Sequence, residues 1–213
     1  MHFEKYTDQL QRLPKQGKHI IGHLENNTIT VYQAFNPLIA EYAAERQVFG
    51  GPHYSFSRMS WIKPGFLWMM YRAGWASKEH QQNILAITLP LEHFYTILSK
   101  ATHSSYNQNV YPTKEAWQKE LEQTEVRIQW DPDHDPVGKK QDRRAIQLGL
   151  KGETLQKFAT QWISRIDDIT PFVKNEYEKL KAGYSNDLLV PFENVLKIEN
   201  PSIAKRIGIY ENN

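Results

Sequence analysis

One stretch constrains this chain more than any other. Residues 57–75, SRMSWIKPGFLWMMYRAGW, combine tryptophans, methionines and cations in a single string. Its body, GFLWMMYRA, is apolar nearly all round, and such a helix is normally buried on most sides. Pro64 stands where a helix can open and Gly74 where one can close. Trp61, Trp68 and Trp75 are seven residues apart, which would align them on one helical face, but Pro64 keeps Trp61 out of a continuous helix. From Gly51 to Pro90 the basic residues are Arg58, Lys63, Arg72 and Lys78, against the single acid Glu79.

Two readings of this block follow. Cations set among aromatic planes suit a ligand with flat rings and phosphates, because rings stack on Trp or Tyr while Arg forks grip phosphate oxygens. Equally, Trp and Met fill cores while Arg and Lys carry their charged ends to the surface. An Arg within a nearly all-apolar helix needs a partner. Trp68, Met69 and Met70 are therefore assigned mainly to packing. Arg58, Trp61, Lys63, Arg72 and Trp75 are assigned to ligand contact.

The chain is long enough, at 213 residues, to bury a core without staples, and its 12% aromatic content argues for order. It holds no cysteine, which excludes disulfides, thiolate metal sites and a cysteine nucleophile. The apolar run Phe66–Tyr71 is far shorter than the roughly 20 residues a bilayer needs. The N-terminus has no apolar signal core, so the expectation is a cytoplasmic protein with no membrane contact. A net charge of +2 is too small to imply nucleic acid from bulk electrostatics, so any basic site must be local.

Residues 1–27 read as a polar arm, and residues 28–213 as one α+β domain with a helical C-terminal third. Thr28–Gln33 alternates and is β-branched, which predicts the first strand. Asn36-Pro37 predicts a helix start, with Leu38, Ile39, Tyr42 and Ala43 on its inner face. Residues 52–60 read as a loop, Ile84–Leu89 as an interior strand, Glu92–Thr102 as a helix and Lys114–Gln123 as an exposed helix. Strands over Glu125–Trp130 and Arg144–Leu150 flank a loop from Asp131 to Asp142. Helices are expected over Glu153–Asp167 and from Thr170-Pro171 to Lys181. The order suits a small mixed or mainly antiparallel sheet with packed helices.

Three further groups could carry chemistry. In TVYQAF, Tyr32 and Gln33 point to opposite faces of the strand, so one of them can line a pocket. In QWDPDHD, residues 129–135, the Asp131, Asp133, His134 and Asp135 side chains suit a general base or a hard metal, although Asp-Pro and close Asp residues are also turn chemistry. The ligands match no calcium-loop spacing, and no metal is assigned. In DRRAIQLGLKGE, Gln147 lies mid-strand, with Arg143, Arg144 and Lys151 forming a local basic patch. The chain has no Walker or Rossmann phosphate loop, no GxSxG and no HExxH, which disfavours the common hydrolase and protease readings.

Taken together, VYQAF, RMSWIKPGFLWMMYRAGWASK, ILAITL, VRIQWDP and RRAIQLGL resemble domain-of-unknown-function family 4291, over about Ile29 to Thr170. The family implies no reaction. The layout is also similar to the ADP-ribosyltransferase class, in which an early strand carries a key polar or aromatic residue, a middle segment carries Ser or Tyr, and a late strand carries Glu or Gln. That likeness implies Tyr32 or Gln33, Ser55 or Ser57, and Gln147 in those roles, with NAD as donor. The resulting expectation is a nucleotide-binding transferase with Tyr32, Gln33 and Gln147 as catalytic residues. Arg58, Trp61, Lys63, Arg72, Trp75, Gln129, Asp131 and Arg144 would then contact the ligand. The competing expectation is a non-catalytic module for RNA or single-stranded nucleic acid, gripping phosphates with Arg58, Lys63, Arg143 and Arg144.

Overall fold

The computed structural model describes residues 1–209, so residues 210–213 of the expected domain lie outside the described residues. The architecture is α+β, with two four- to five-stranded sheets that share a core. Residues 1–27 are woven into it. β1 (Phe3–Lys5) and α1 (Tyr6–Arg12) lead to the short strands β2 (Gly17–Lys18), β3 (Ile21–Gly22) and β4 (Leu24–Glu25).

β5 (Thr28–Phe35) is the first long strand, and α2 (Pro37–Arg46) follows. Asn36 caps α2 as its sequence implies, its side chain accepting from the Ile39 amide at 3.0 Å. The inner face differs from expectation: Ala40 and Ala43 are buried, whereas Leu38 is 55% exposed. A loop then leads to β6 (Ser60–Ile62), a strand within and just beyond the expected loop. α3 (Phe66–Ala73) begins after Gly65 rather than at Pro64, and Gly74 closes it in the left-handed region, φ 56°.

β7 (Asn83–Pro90) pairs antiparallel with β5 along its whole length. Both faces of β7 are covered, which is why ILAITL reads as a continuous apolar run rather than an alternating one. α4 (Leu91–Ser99) stops earlier than its periodicity suggests. Residues Ala101–His103 form β8, which runs parallel to β9 (Val126–His134). Between them α5 (Lys114–Gln123) buries no residue, in keeping with its charged sequence.

The expected loop over Asp131–Asp142 is mostly strand. β9 continues to His134, and β10 (Lys140–Leu150) begins only six residues later. The turn is tight because the Asp135 carboxylate accepts from the amides of Val137 and Lys139, while Gly138 takes φ 86°. The expected helix over Glu153–Asp167 is also revised. α6 (Gly152–Lys157) passes into a π-turn at Phe158–Trp162, and Arg165–Asp168 becomes β11 on the edge of β7. Pairing with β7 overrides the local helical spacing. α7 (Thr170–Lys181) forms as expected. β12 (Leu189–Pro191), β13 (Asn194–Val195) and α8 (Pro201–Ile207) follow among the described residues, so the C-terminal third is not purely helical.

The first sheet has the order β11-β7-β5-β4, all antiparallel. In the second, β10 pairs with β9 on one edge and with β2 and β6 on successive halves of the other, and β8 lies outside β9. Among the described residues the backbones of the two sheets pair at one bridge. Tyr32 of β5 and Lys63, just after β6, exchange two backbone hydrogen bonds of 2.7 and 3.2 Å. Ile29, Val31, Leu85 and Ile87 of the first sheet and Ile128, Ile146 and Leu148 of the second fill the core they share. A second core seats α3 through Phe66, Met70 and Ala73 against Tyr32, Ile84 and Val173.

α3 is tied down at its start by a buried acid. The Glu193 carboxylate accepts from the Phe66 amide at 2.8 Å, and burial pushes its pKa up to about 8. The folded protein therefore retains a proton that the unfolded chain releases between its ordinary value of 4.5 and about 8. The associated stability is complete below 4.5 and is lost as pH rises through 8. Glu193→Gln keeps a carbonyl for Phe66 but cannot ionise. In thermal melts from pH 5 to 9, wild-type Tm is expected to fall relative to the variant. Parallel curves would show that Glu193 does not hold its proton.

Candidate functional site

The chain around the sheet junction lines two contiguous clefts. One, of about 660 Å³, is bordered by Gln33, Tyr54, Ser55, Arg58, Met59 and Ser60. The other, of about 560 Å³, is bordered by Trp68, Tyr71, Gln129, Asp131, His134 and Gln147. Trp61, Lys63 and Arg72 belong to both walls.

The polar floor of the second cleft comes from strand register. Gln147 of β10 lies opposite Gln129 of β9, and Asp131 is two residues further along the same face. The Asp131 carboxylate accepts from the Gln129 amide through one oxygen and from the Gln147 amide through the other, each at 2.8 Å. Two amide donors therefore fix its orientation. The aromatic wall comes from helical spacing: Trp68, Tyr71 and Arg72 share the face of α3 opposite its core. Tyr71 stacks on His134 with centroids 3.5 Å apart, and Trp68 lies parallel to both rings. Burial lowers the pKa of His134. Neither its ring nitrogens nor the Trp68 indole nitrogen meets a hydrogen-bond partner among the described residues.

In the first cleft, Gln33 donates to Ser60 Oγ at 2.7 Å and to the Trp61 carbonyl at 3.2 Å. Trp61 and Met59 are seated over Gly149. A Cβ there would lie 2.5 Å from Met59 Sδ and 3.0 Å from the Trp61 ring. This close approach accounts for glycine in the middle of a strand.

Lys63 is buried at 6% exposure, and its Nζ has one contact, the Trp61 carbonyl at 3.3 Å. Burial, reinforced by the Arg72 charge, pulls its pKa down to about 8, with Asp131 opposing. Arg58, Lys63 and Arg72 form no ion pair with any carboxylate among the described residues.

The structure thus brings together Gln33, Arg58, Trp61, Lys63, Arg72, Gln129, Asp131 and Gln147, with Ser55 at the rim. Three expected residues lie elsewhere. The Tyr32 ring is fully buried edge-on to Phe66 and contributes only its backbone, to Lys63. Trp75 takes φ 54° after the helix cap, stacks on Tyr177 and donates to the Pro136 carbonyl at 3.2 Å. Arg144 lines neither cleft and sits opposite Lys18 of β2. Trp68 serves both packing and cleft, a dual role that its i, i+3, i+4 spacing with Tyr71 and Arg72 could have signalled. Within QWDPDHD, Asp133 forms an ion pair of 2.5 Å with the buried Arg143, and Asp135 closes the turn. Among the described residues no group of three His, Asp or Glu side chains could hold a metal ion.

These features define an α+β domain with a two-part cationic and aromatic cleft at the junction of its sheets. The chain belongs to the family described as Domain of unknown function (DUF4291), which matches residues 19–196 and so spans every cleft residue named above. No curated protein matches the chain. No helix among the described residues is long and apolar enough to cross a membrane.

Lys63 carries a measurable cost. Its folded pKa lies below the ordinary lysine value of 10.5, so the penalty is complete below about pH 8 and is relieved as pH rises toward 10.5. Lys63→Met removes the buried charge at similar length and is expected to stabilise by on the order of 1–3 kcal/mol at pH 7. Thermal melts would record a higher Tm for the variant at pH 7 and convergence with wild type near pH 10. A lower Tm at pH 7 would mean that the ammonium is compensated.

Proposed function

We propose that this protein is a nucleotide-binding transferase that takes NAD as its glycosyl donor, in the manner of ADP-ribosyltransferases and in a cytoplasmic setting. The observation that carries the reading is the convergence of three cations, without carboxylate partners among the described residues, on clefts that also hold one doubly oriented carboxylate, Asp131. Arg58 and Arg72 take the phosphates, the charge-assisted contacts that a diphosphate favours, and Lys63 lies in the wall common to both clefts. Trp61 and Tyr71 offer planes for a flat ring.

Asp131 stabilises the positive charge that develops at the ribose anomeric carbon as its bond to the nicotinamide nitrogen breaks. The bonding pair leaves with nicotinamide. An acceptor nucleophile, water in the simplest case, adds to the anomeric carbon and releases a proton. Gln129 and Gln147 hold Asp131 in place, so Gln147 is a positioning residue in this scheme. Tyr32 has no role beyond its backbone, because its ring is sealed in the core.

The nucleic-acid reading relied partly on Arg143, which is buried in its pair with Asp133. Binding to single strands would have to use Arg58, Lys63 and Arg72 instead, and its affinity would fall steeply with salt.

Calorimetry with NAD and an assay for nicotinamide release test the proposal. Arg72→Ala is expected to weaken NAD binding about tenfold, as loss of a charged phosphate contact does. Asp131→Asn is expected to leave binding within a few-fold and to slow release about 100-fold or more. Wild-type protein that neither binds NAD nor releases nicotinamide would sink the proposal. Salt-sensitive binding to single-stranded RNA in its place would establish the other reading.

A further inference from the structure

We propose that Lys63 is a reactive amine that captures, as a Schiff base, the open-chain aldehyde of a phosphate-bearing ribose held in the joined clefts. The inference rests on the nucleotide reading in taking Arg58 and Arg72 to hold the ligand's phosphates. It adds covalent chemistry that phosphate binding alone does not require.

The geometry sets Lys63 apart from the other cations of the site. Arg58 and Arg72 are exposed at the cleft walls, as phosphate-gripping guanidinium groups should be. Lys63 is buried in the wall common to both clefts, and its backbone is pinned on both sides by Tyr32. Among the described residues its amine touches one carbonyl oxygen and no carboxylate. A buried lysine that serves structure normally has an ionic partner, whereas a desolvated lysine without one is the arrangement that supplies an amine nucleophile. Asp131 of β9 and Arg72 of α3 are the charged groups whose fields reach it, and Arg72 favours the neutral amine.

A ribose freed at its anomeric carbon opens to an aldehyde, and ADP-ribose, the product of NAD hydrolysis, is such a sugar. The Nζ lone pair adds to that carbon, and the carbonyl oxygen takes the first of the two amine protons. The resulting hydroxyl leaves as water with the second, and the carbon–nitrogen double bond forms. Asp131 lines the same cleft and is assigned the relay of these protons. The step needs no oxidant or reductant.

The test is reductive trapping. Full-length protein is incubated at pH 7.5 with ADP-ribose, or with pyridoxal 5′-phosphate as a phosphate-bearing aldehyde that is not a nucleotide, each with cyanoborohydride. Digestion and mass spectrometry then locate the adduct. Lys63 should be modified about tenfold or more faster than Lys78 and Lys140, because a larger share of its amine is neutral. Its rate should climb through pH of about 8. Lys63→Arg should lose the adduct and Arg72→Gln should slow it, with circular dichroism checking that both variants fold. Modification spread evenly over surface lysines with both aldehydes would overturn the proposal. ADP-ribose that binds in calorimetry without labelling Lys63 would also overturn it, while leaving the nucleotide reading intact. Labelling of Lys63 by pyridoxal phosphate but not by ADP-ribose would likewise overturn it, leaving a reactive amine that takes no ribose.

Discussion

The pair of backbone hydrogen bonds between Tyr32 and Lys63 is the contact on which the rest of this architecture depends. β5 and β6 belong to different sheets, and among the described residues this bridge is their backbone pairing, with the Gln33 side chain reaching across beside it to Ser60 and the Trp61 carbonyl. The clefts are lined by residues on either side of this junction. The same bridge sets the direction of both side chains. Tyr32 is turned into the core beneath α3, and Lys63 into the wall shared by the clefts. A longer ladder between β5 and β6 would close the space that Arg58, Trp61 and Arg72 now border.

Several buried polar groups are matched: Asp133 with Arg143, Glu176 with Lys179 and the Leu189 amide, and Gln9 with the Pro191 carbonyl. Others, away from the clefts, keep an atom without a partner among the described residues, as His23, Ser104 and Arg127 do. The clefts gather several such atoms in one place. Lys63 has a single weak contact, and His134, Trp68 and Gln33 retain polar atoms without partners among the described residues. Buried polar groups in folded proteins are nearly always satisfied, so each exception that borders a cleft is a donor or acceptor open to a ligand there.

Much of the fold was legible where local chemistry decides structure. The Asn36 cap, the Gly74 stop and the Thr170-Pro171 start carry their own signals, and α2, the end of α3 and α7 fall where those residues place them. The strands β6, β8 and β11 were not legible. Each is three or four residues long, has no pattern of its own and exists only because a distant strand pairs with it. The site divided in the same way. An excess of cations over acids between Gly51 and Pro90 pointed to Arg58, Lys63 and Arg72. Alternation told Tyr32 from Gln33 but not which of them faced the cleft, because both faces of β5 are buried. The clamp on Asp131 depends on the register of β9 against β10, which their sequences do not specify.

The carboxyl group beneath α3 ties the cleft to the order in which the chain can fold. Trp68, Tyr71 and Arg72 ride on a helix whose first amide is bound by Glu193, more than a hundred residues downstream. β1 waits for β12 and β3 for β13 in the same late segment. The aromatic wall of the cleft is therefore complete only once residues far apart in the sequence have met, and contacts of such long separation slow folding.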